Sequence, residues 1–180
     1  MDQMTEIMLD LETMSTHPNA SIVSIGAVRF MPPSAATAGS VTDATFYVNV
    51  ALPSCMDAGL HVESRTVAWW ELQSKEARDA LGVDTLPLNA ALLKFSQWFG
   101  EESRPVWANP ATFDLVILAS AYRAVNMTKP WEFYDERCYR TIRSLFPTLP
   151  YVKPGVPHHA LEDAVAQAHH LIKILKELHA

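Results

Sequence analysis

Only two cysteines, Cys55 and Cys138, occur in 180 residues. Two thiols cannot build a disulfide scaffold, and neither CxxC nor a Cys/His spacing suited to zinc is present. Buried free thiols are expected instead. No apolar run approaches the ~20 residues that cross a bilayer. The N-terminal stretch MDQMTEIMLDLE lacks the basic start and apolar centre of a signal peptide. A soluble intracellular protein without a visible targeting address is the expectation. Excess positive charge is missing too: 14 Lys and Arg stand against 20 Asp and Glu, for a net charge of −6. Such a chain does not coat nucleic acid by bulk electrostatics, although an enzyme that meets phosphate through bound cations stays open. Apolar residues at 49% and charged residues at 19% fit a globular chain. The length suits one domain over residues 1–180.

There is no internal repeat and no strong linker. Glu6 to Asp10 is a short apolar run that reads as a central strand. Ser21 to Phe30 and Thr45 to Val50 alternate and are rich in β-branched residues, so both read as strands. The Pro- and Ala-rich segment Met31 to Gly39 is expected to be a long hairpin loop between them. Three strands joined without room for helical crossovers make an antiparallel meander. The second half alternates. Leu86 to Phe99 predicts a helix, Pro105 to Ala108 a strand, Phe113 to Ala124 a helix, Phe133 to Cys138 a strand and Thr141 to Phe146 a short helix. Ala160 to Leu178 is the clearest helix, with Leu161, Val165, Ala168, Ile172 and Leu175 on one stripe. The expected architecture is α/β: a five-stranded mixed sheet, three strands in the meander and two parallel, flanked by helices.

Three places carry candidate chemistry. In Leu9-Asp10-Leu11-Glu12-Thr13, strand alternation sends Asp10 and Glu12 to the same face. Two like charges there call for a divalent cation, for which Mg²⁺ or Mn²⁺ with oxygen ligands fits. Alone, the tripeptide fits a solvated strand end better. Asp114 falls in the first turn of a helix that Asn109 or Thr112 would cap, a place where the helix dipole by itself favours an acid. His158 and His159 follow the stiff segment Lys153 to Pro157 and precede the last helix, with Asp163 in its first turns. By the stripe chosen above, Asp163 points away from the core. An imidazole titrating near neutrality suits proton transfer, and His158 or His159 would serve.

The ordered set is more specific than its members. DxE on the first strand, Asp after a mid-chain strand, and HxxxxD at the last helix resemble the DEDDh, or DnaQ-like, family of 3′→5′ exonucleases. The matching residues are Asp10 and Glu12 in LDLET, Asp114 in NPATFD, and His158 and Asp163 in HHALEDA. MLDLETM and Val67 to Gln73 (VAWWELQ) are similar to small phage and prophage enzymes such as DexA and exonuclease VIII. That likeness implies a ribonuclease H-like fold in a cytoplasmic enzyme of bacterial or phage origin.

The resemblance also implies a mechanism. Two divalent ions, Mg²⁺ or Mn²⁺, would clamp the scissile phosphate. Asp10 would bridge them, Glu12 and Asp163 would complete the first site, Asp114 would serve the second, and His158 would take a proton from the attacking water. Single-stranded DNA or RNA would lose nucleoside 5′-monophosphates from its 3′ end. Leu11, Thr13 and Met14 would touch the terminal nucleotide, and one of Trp69 and Trp70 would stack on its base. The basic residues Arg65, Lys75, Arg78, Arg123, Lys129, Arg140, Arg143 and Lys153 are scattered. They would hold phosphates or simply be solvated. Two rivals stand beside this reading: a ribonuclease H-like endonuclease, and a degenerate nuclease fold used for binding. A homodimer is compatible with the sequence.

Overall fold

The computed structural model describes residues 5–152 and 158–178. Three strands open the chain: β1 Glu6–Thr13, β2 Ile22–Met31 and β3 Ser40–Asn49. They pair antiparallel in the order in which they occur, as the meander required. The helices α1 Leu52–Asp57, α2 Ser64–Glu71, α3 Lys75–Ala80 and α4 Leu88–Phe99 follow. Then come β4 Val106–Ala108, α5 Ala111–Ala124, a single 3₁₀ turn Phe133–Asp135, β5 Glu136–Cys138, α6 Tyr139–Ser144 and α7 Ala160–Leu178. β4 joins the sheet parallel to β1, and β5 parallel to β4. The strand order is β3-β2-β1-β4-β5, a five-stranded mixed sheet as the sequence predicts. Among the described residues no helix is long and apolar enough to cross a membrane.

Several local expectations are corrected. The helices α1 to α3 are not foreseen from the sequence; at six to eight residues each, they are too short to show a helical repeat. β1 continues through Glu12 and Thr13, and β3 begins at Ser40 rather than Thr45. Phe133 to Cys138 is a strand only over its last three residues. Before it, Asp135 and Glu132 cap each other around the 3₁₀ turn. The cap position of α5 is Pro110, with no side-chain cap from Asn109 or Thr112. Cys55 is buried, but Cys138 is only half-buried.

The sheet separates two cores. Ile7, Leu9 and Leu11 of β1 pack with α4 and α5 on one face. Met8 packs on the other face with Ala164, Ala168, Leu171 and Ile174 of α7. Asp10 and Glu12 share the parity of Met8, so they look toward α7. The buried stripe of α7 is Ala160, Ala164, Gln167, Leu171 and Ile174. Of the stripe read from the sequence, Ala168 and Ile172 are buried too, but Leu161, Val165 and Leu175 are only half-buried. The two stripes differ by roughly 100° at ~100° per residue. The rotation brings Asp163 from the solvent side to the margin of the buried face.

Small residues decide that rotation. A Cβ on Gly26 of β2 would lie 2.2 Å from the backbone carbon of Ala160 and 2.2 Å from the nitrogen of Leu161. The first turn of α7 therefore rests directly on the sheet backbone. Gly26 pairs across the sheet with Asp10, so this contact sits beside the carboxylate. Gly26→Ala is expected to destabilise the protein by about 1–3 kcal/mol through overpacking. A fall of roughly 2–4 °C in Tm per kcal/mol follows for a chain of this size. A melting curve identical to wild type would show that the helix can lift away freely.

Candidate active site

Strand parity, helix rotation and the close contact at Gly26 bring three acids together. Carboxylate oxygens of Asp10, Glu12 and Asp163 lie within 4.8 Å of one another. Glu12 is 8% exposed, whereas Asp10 and Asp163 are half-buried. Burial, reinforced by Asp114, Glu12 and Asp163, raises the Asp10 carboxyl well above its ordinary value. Burial and then the charges of Asp163 and Asp114 push Glu12 up to about 8. Asp163 is raised as well, first by burial; the nearby His158 opposes the rise. Carboxyls held so close resist ionising together, and a hard divalent cation offers the compensation that oxygen ligands need.

Asp114 enters from the opposite face. β1 and β4 pair only at Ile7 with Val106 and Met8 with Trp107. β4 then ends, and the amide of Leu11 loses a strand partner. Asp114, in the first turn of α5, replaces it: Leu11 N–H donates to Asp114 Oδ1 at 3.1 Å. The other oxygen, Oδ2, is buried and has no hydrogen-bond partner among the described residues. Burial pushes the Asp114 carboxyl up to about 7, against the pull of the Leu11 amide. An orphaned buried carboxylate oxygen next to three other acids fits a cation or its water shell. Asp114 does not join the three-acid cluster directly.

Gln167, one helical turn beyond Asp163 on α7, was missed by sequence reasoning. Its Nε2 donates to Asp10 Oδ1 at 2.9 Å, while its Oε1 is buried without a partner among the described residues. The amide thus steadies one oxygen of Asp10. Its place on the buried stripe is the signal that would have found it.

The two histidines differ in their surroundings. His159 stacks on Tyr47, with ring centres 4.4 Å apart and planes at 15°. Its Nδ1 accepts from the Glu162 amide at 3.4 Å, and its carbonyl accepts from the Asp163 amide at 3.0 Å. His159 therefore serves the start of α7. His158 has φ 61°. That left-handed conformation costs a residue with a side chain of order 1–3 kcal/mol and is tolerated where surroundings enforce it. Its ring meets Trp69 edge-on at 4.8 Å and Trp70 at 6.0 Å.

A cleft of about 440 Å³ opens beside Glu12, lined by Leu11, Thr13, Ser15, Thr16, Arg65, Thr66, Phe113 and the two tryptophans. Trp70 is 4% exposed and its indole donates to the Thr13 carbonyl at 2.9 Å, whereas Trp69 is 42% exposed. One of the pair is therefore structural and the other available. Met14 does not share this cleft. β1 shifts register between Glu12 and Thr13, and Met14 lines a separate apolar cleft of about 550 Å³ with Trp70 in its wall.

The model of one family, the 3′-5′ exoribonuclease Rv2179c-like domain, matches residues 5–175. No curated protein matches the sequence. Cell-death related nuclease 4 shares the fold with a TM-score of 0.61 at 16% identity, over 96% of this chain and 64% of that one. The nuclease domain of 3′hExo, a DEDDh family member bound to rAMP, gives 0.60 at 13% identity over 96% and 92%. Exonuclease I from Methylocaldum szegediense gives 0.62 at 12% identity, over 96% of this chain and 40% of that one. The chain thus spans less than two thirds of the nuclease 4 chain and less than half of exonuclease I. These structures establish a ribonuclease H-like fold shared with DEDDh exonucleases. With nearly its whole length matched, the chain belongs to the family of the Rv2179c-like 3′-5′ exoribonuclease domain.

Proposed function

We propose that this chain is a divalent-metal-dependent 3′→5′ exonuclease of the DEDDh class that trims single-stranded nucleic acid to nucleoside 5′-monophosphates. The observation that carries the reading is the convergence of Asp10, Glu12 and Asp163 within 4.8 Å, with Asp114 and His158 beside them. The family's description names an exoribonuclease, which favours RNA as the first substrate to test. Kinship with phage enzymes such as DexA and exonuclease VIII, and a cytoplasmic setting in bacteria or phage-infected cells, rests on the motifs at Met8–Met14 and Val67–Gln73.

Asp10, Glu12 and Asp163 would hold one Mg²⁺ or Mn²⁺, and Asp10 with Asp114 would hold a second, directly or through water. Held there, such ions would supply positive charge against the scissile phosphate. Gln167 fixes Asp10 so that its remaining oxygen faces the site. A ring nitrogen of His158 takes the proton from the water as the oxygen attacks phosphorus and the bond to the upstream O3′ breaks. His159 is committed to Tyr47 and to the start of α7, which favours His158 as the base. Trp69 offers its face to the terminal base, and Leu11 and Thr13 line the same cleft.

Matched 5′-labelled DNA and RNA strands with Mg²⁺ or Mn²⁺ test the reading. Stepwise shortening from the 3′ end is expected, with loss of activity in excess EDTA and in Asp10→Asn. Internal cuts would select an endonuclease, and intact strands a binding module. Among variants, His158→Ala is expected to lower the single-turnover rate by ~10²–10⁴-fold with metal affinity nearly intact. His159→Ala should lose about 1 kcal/mol of stability from the helix start and little rate. The reverse pattern would move the base to His159.

Stability should also depend on pH in a defined direction. A carboxyl whose pKa is higher in the folded chain favours folding at low pH. That advantage is lost as pH climbs through the folded value. With Glu12 raised to about 8 and Asp114 to about 7, the Tm in EDTA should fall between roughly pH 5 and pH 8. Saturating Mn²⁺ should raise the Tm and flatten that slope, because the ion binds the folded state alone. A flat Tm in EDTA across this range would contradict the repulsion between these acids.

A further inference from the structure

The carboxylates stand between two clefts that share no lining residue. One is the tryptophan cleft beside Glu12. The other, of about 660 Å³, opens between α6 and the segment 146–151 and is lined by Asn109, Arg140, Arg143, Ser144, Thr148 and Tyr151 among others. Its residues follow the ends of the strands next to β1. Asn109 comes directly after β4, the parallel neighbour of β1, and Arg140 lies in the first turn of α6, directly after β5. Electrostatics agree: burial first, then the charges of Asp163 and Asp10, raises the Tyr151 phenol. The Arg140 charge also acts on Asp114.

Among the described residues neither Arg140 nor Arg143 forms a salt bridge, a state they share with Arg29, Arg78, Arg123 and Arg137; what sets them apart is that both line one cleft. Arg140 is oriented by Asn109, donating to its carbonyl at 3.2 Å and its Oδ1 at 3.4 Å. The Arg143 guanidinium lies 4.8 Å from the centre of the Tyr151 ring. The wall is anchored from the core. His170 Nε2 donates to the Leu149 carbonyl at 3.1 Å, which leaves Nδ1 to accept from the Tyr139 hydroxyl at 2.7 Å. Two pre-oriented guanidinium forks, the hydroxyl of Thr148 and an aromatic ring make a surface for phosphodiester groups rather than for one small anion.

We propose that this cleft carries the substrate strand upstream of the scissile bond, with Arg140 and Arg143 each holding a backbone phosphate. The assignment rests on the exonuclease reading: with the scissile phosphate at the acids and the terminal nucleoside against Trp69, the remaining strand leaves toward β4 and β5. The cleft then makes longer strands better substrates than the shortest ones, independently of base sequence.

The test compares wild type with Arg140→Gln, Arg143→Gln and the double variant on two substrates. One is a 5′-labelled single strand of about ten nucleotides; the other is a dinucleotide, which has no phosphate upstream of the scissile one. The ratio of kcat/KM on the long strand to that on the dinucleotide is expected to fall about tenfold per arginine, carried by KM, in line with a hydrogen-bonded charge pair. The slope of log KM against log salt should shrink by about 0.7 for each phosphate that an arginine no longer neutralises. A ratio equal to the wild-type ratio overturns the assignment, even if both rates fall together. Strand binding by fluorescence anisotropy in Ca²⁺ keeps the two readings separate. If wild type cleaves neither substrate, the exonuclease reading fails. Weaker binding by the double variant then still supports the strand path, and equal binding overturns it.

Discussion

The seating of α7 on β2 governs what the rest of the molecule can do. Where the helix begins, its backbone meets the sheet at Gly26, with Ala160 and Ala164 filling the narrow gap. Large side chains at this point would hold the helix away and turn it. At the observed distance, Asp163 reaches the margin of the sheet beside Asp10 and Glu12. The same turn positions Gln167 beneath Asp10, and the residues leading into it place His158 against the tryptophans. One backbone-to-backbone contact thus supplies half of the candidate site, while the DxE strand supplies the other half.

Gathering acids works against folding, and the structure opposes that cost mainly with neutral donors, with the Arg140 charge acting on Asp114 after them. The Leu11 amide donates to Asp114 and the Gln167 amide to Asp10. Among the described residues, no salt bridge joins any of the four acids. Dipoles lower the repulsion without cancelling the charge, and so they leave a net attraction for cations. A guanidinium in the same place would have stabilised the metal-free fold and closed the site to ions. Arg140 and Arg143 are instead set to the side, in the cleft beyond β4 and β5.

Much of this was legible in the sequence, and the exceptions have physical causes. Period-two alternation was enough to send Asp10 and Glu12 to one face, and the sheet formed with the three-strand antiparallel meander and two parallel strands expected. The position of α7 was evident, but its facing was not. Reading the stripe from Leu161, Val165 and Leu175 assumed that the largest aliphatics mark the buried side. Here close packing put alanine and glutamine there. The tie between Asp114 and Leu11 spans 103 residues and depends on where β4 stops, which no local pattern records. The helices α1 to α3 lack the length for a visible repeat, so the burial of Trp70 and the exposure of Trp69 needed coordinates.

The way β1 is supported has a mechanical side. Along one edge the strand is laddered to β2 over its full length, but along the other the ladder to β4 covers only Ile7 and Met8. Beyond that, the Leu11 amide is held by a side chain, the Asp114 carboxylate, instead of by a strand. The Trp70 indole does the same for the Thr13 carbonyl, so the tip carrying Glu12 and Thr13 is a cantilever stayed by two side chains. The two stays differ in kind: the indole is neutral at any ordinary pH, whereas the carboxylate grips the amide harder when ionised than when protonated. Stiffness at the strand tip is therefore tied to the charge state of Asp114.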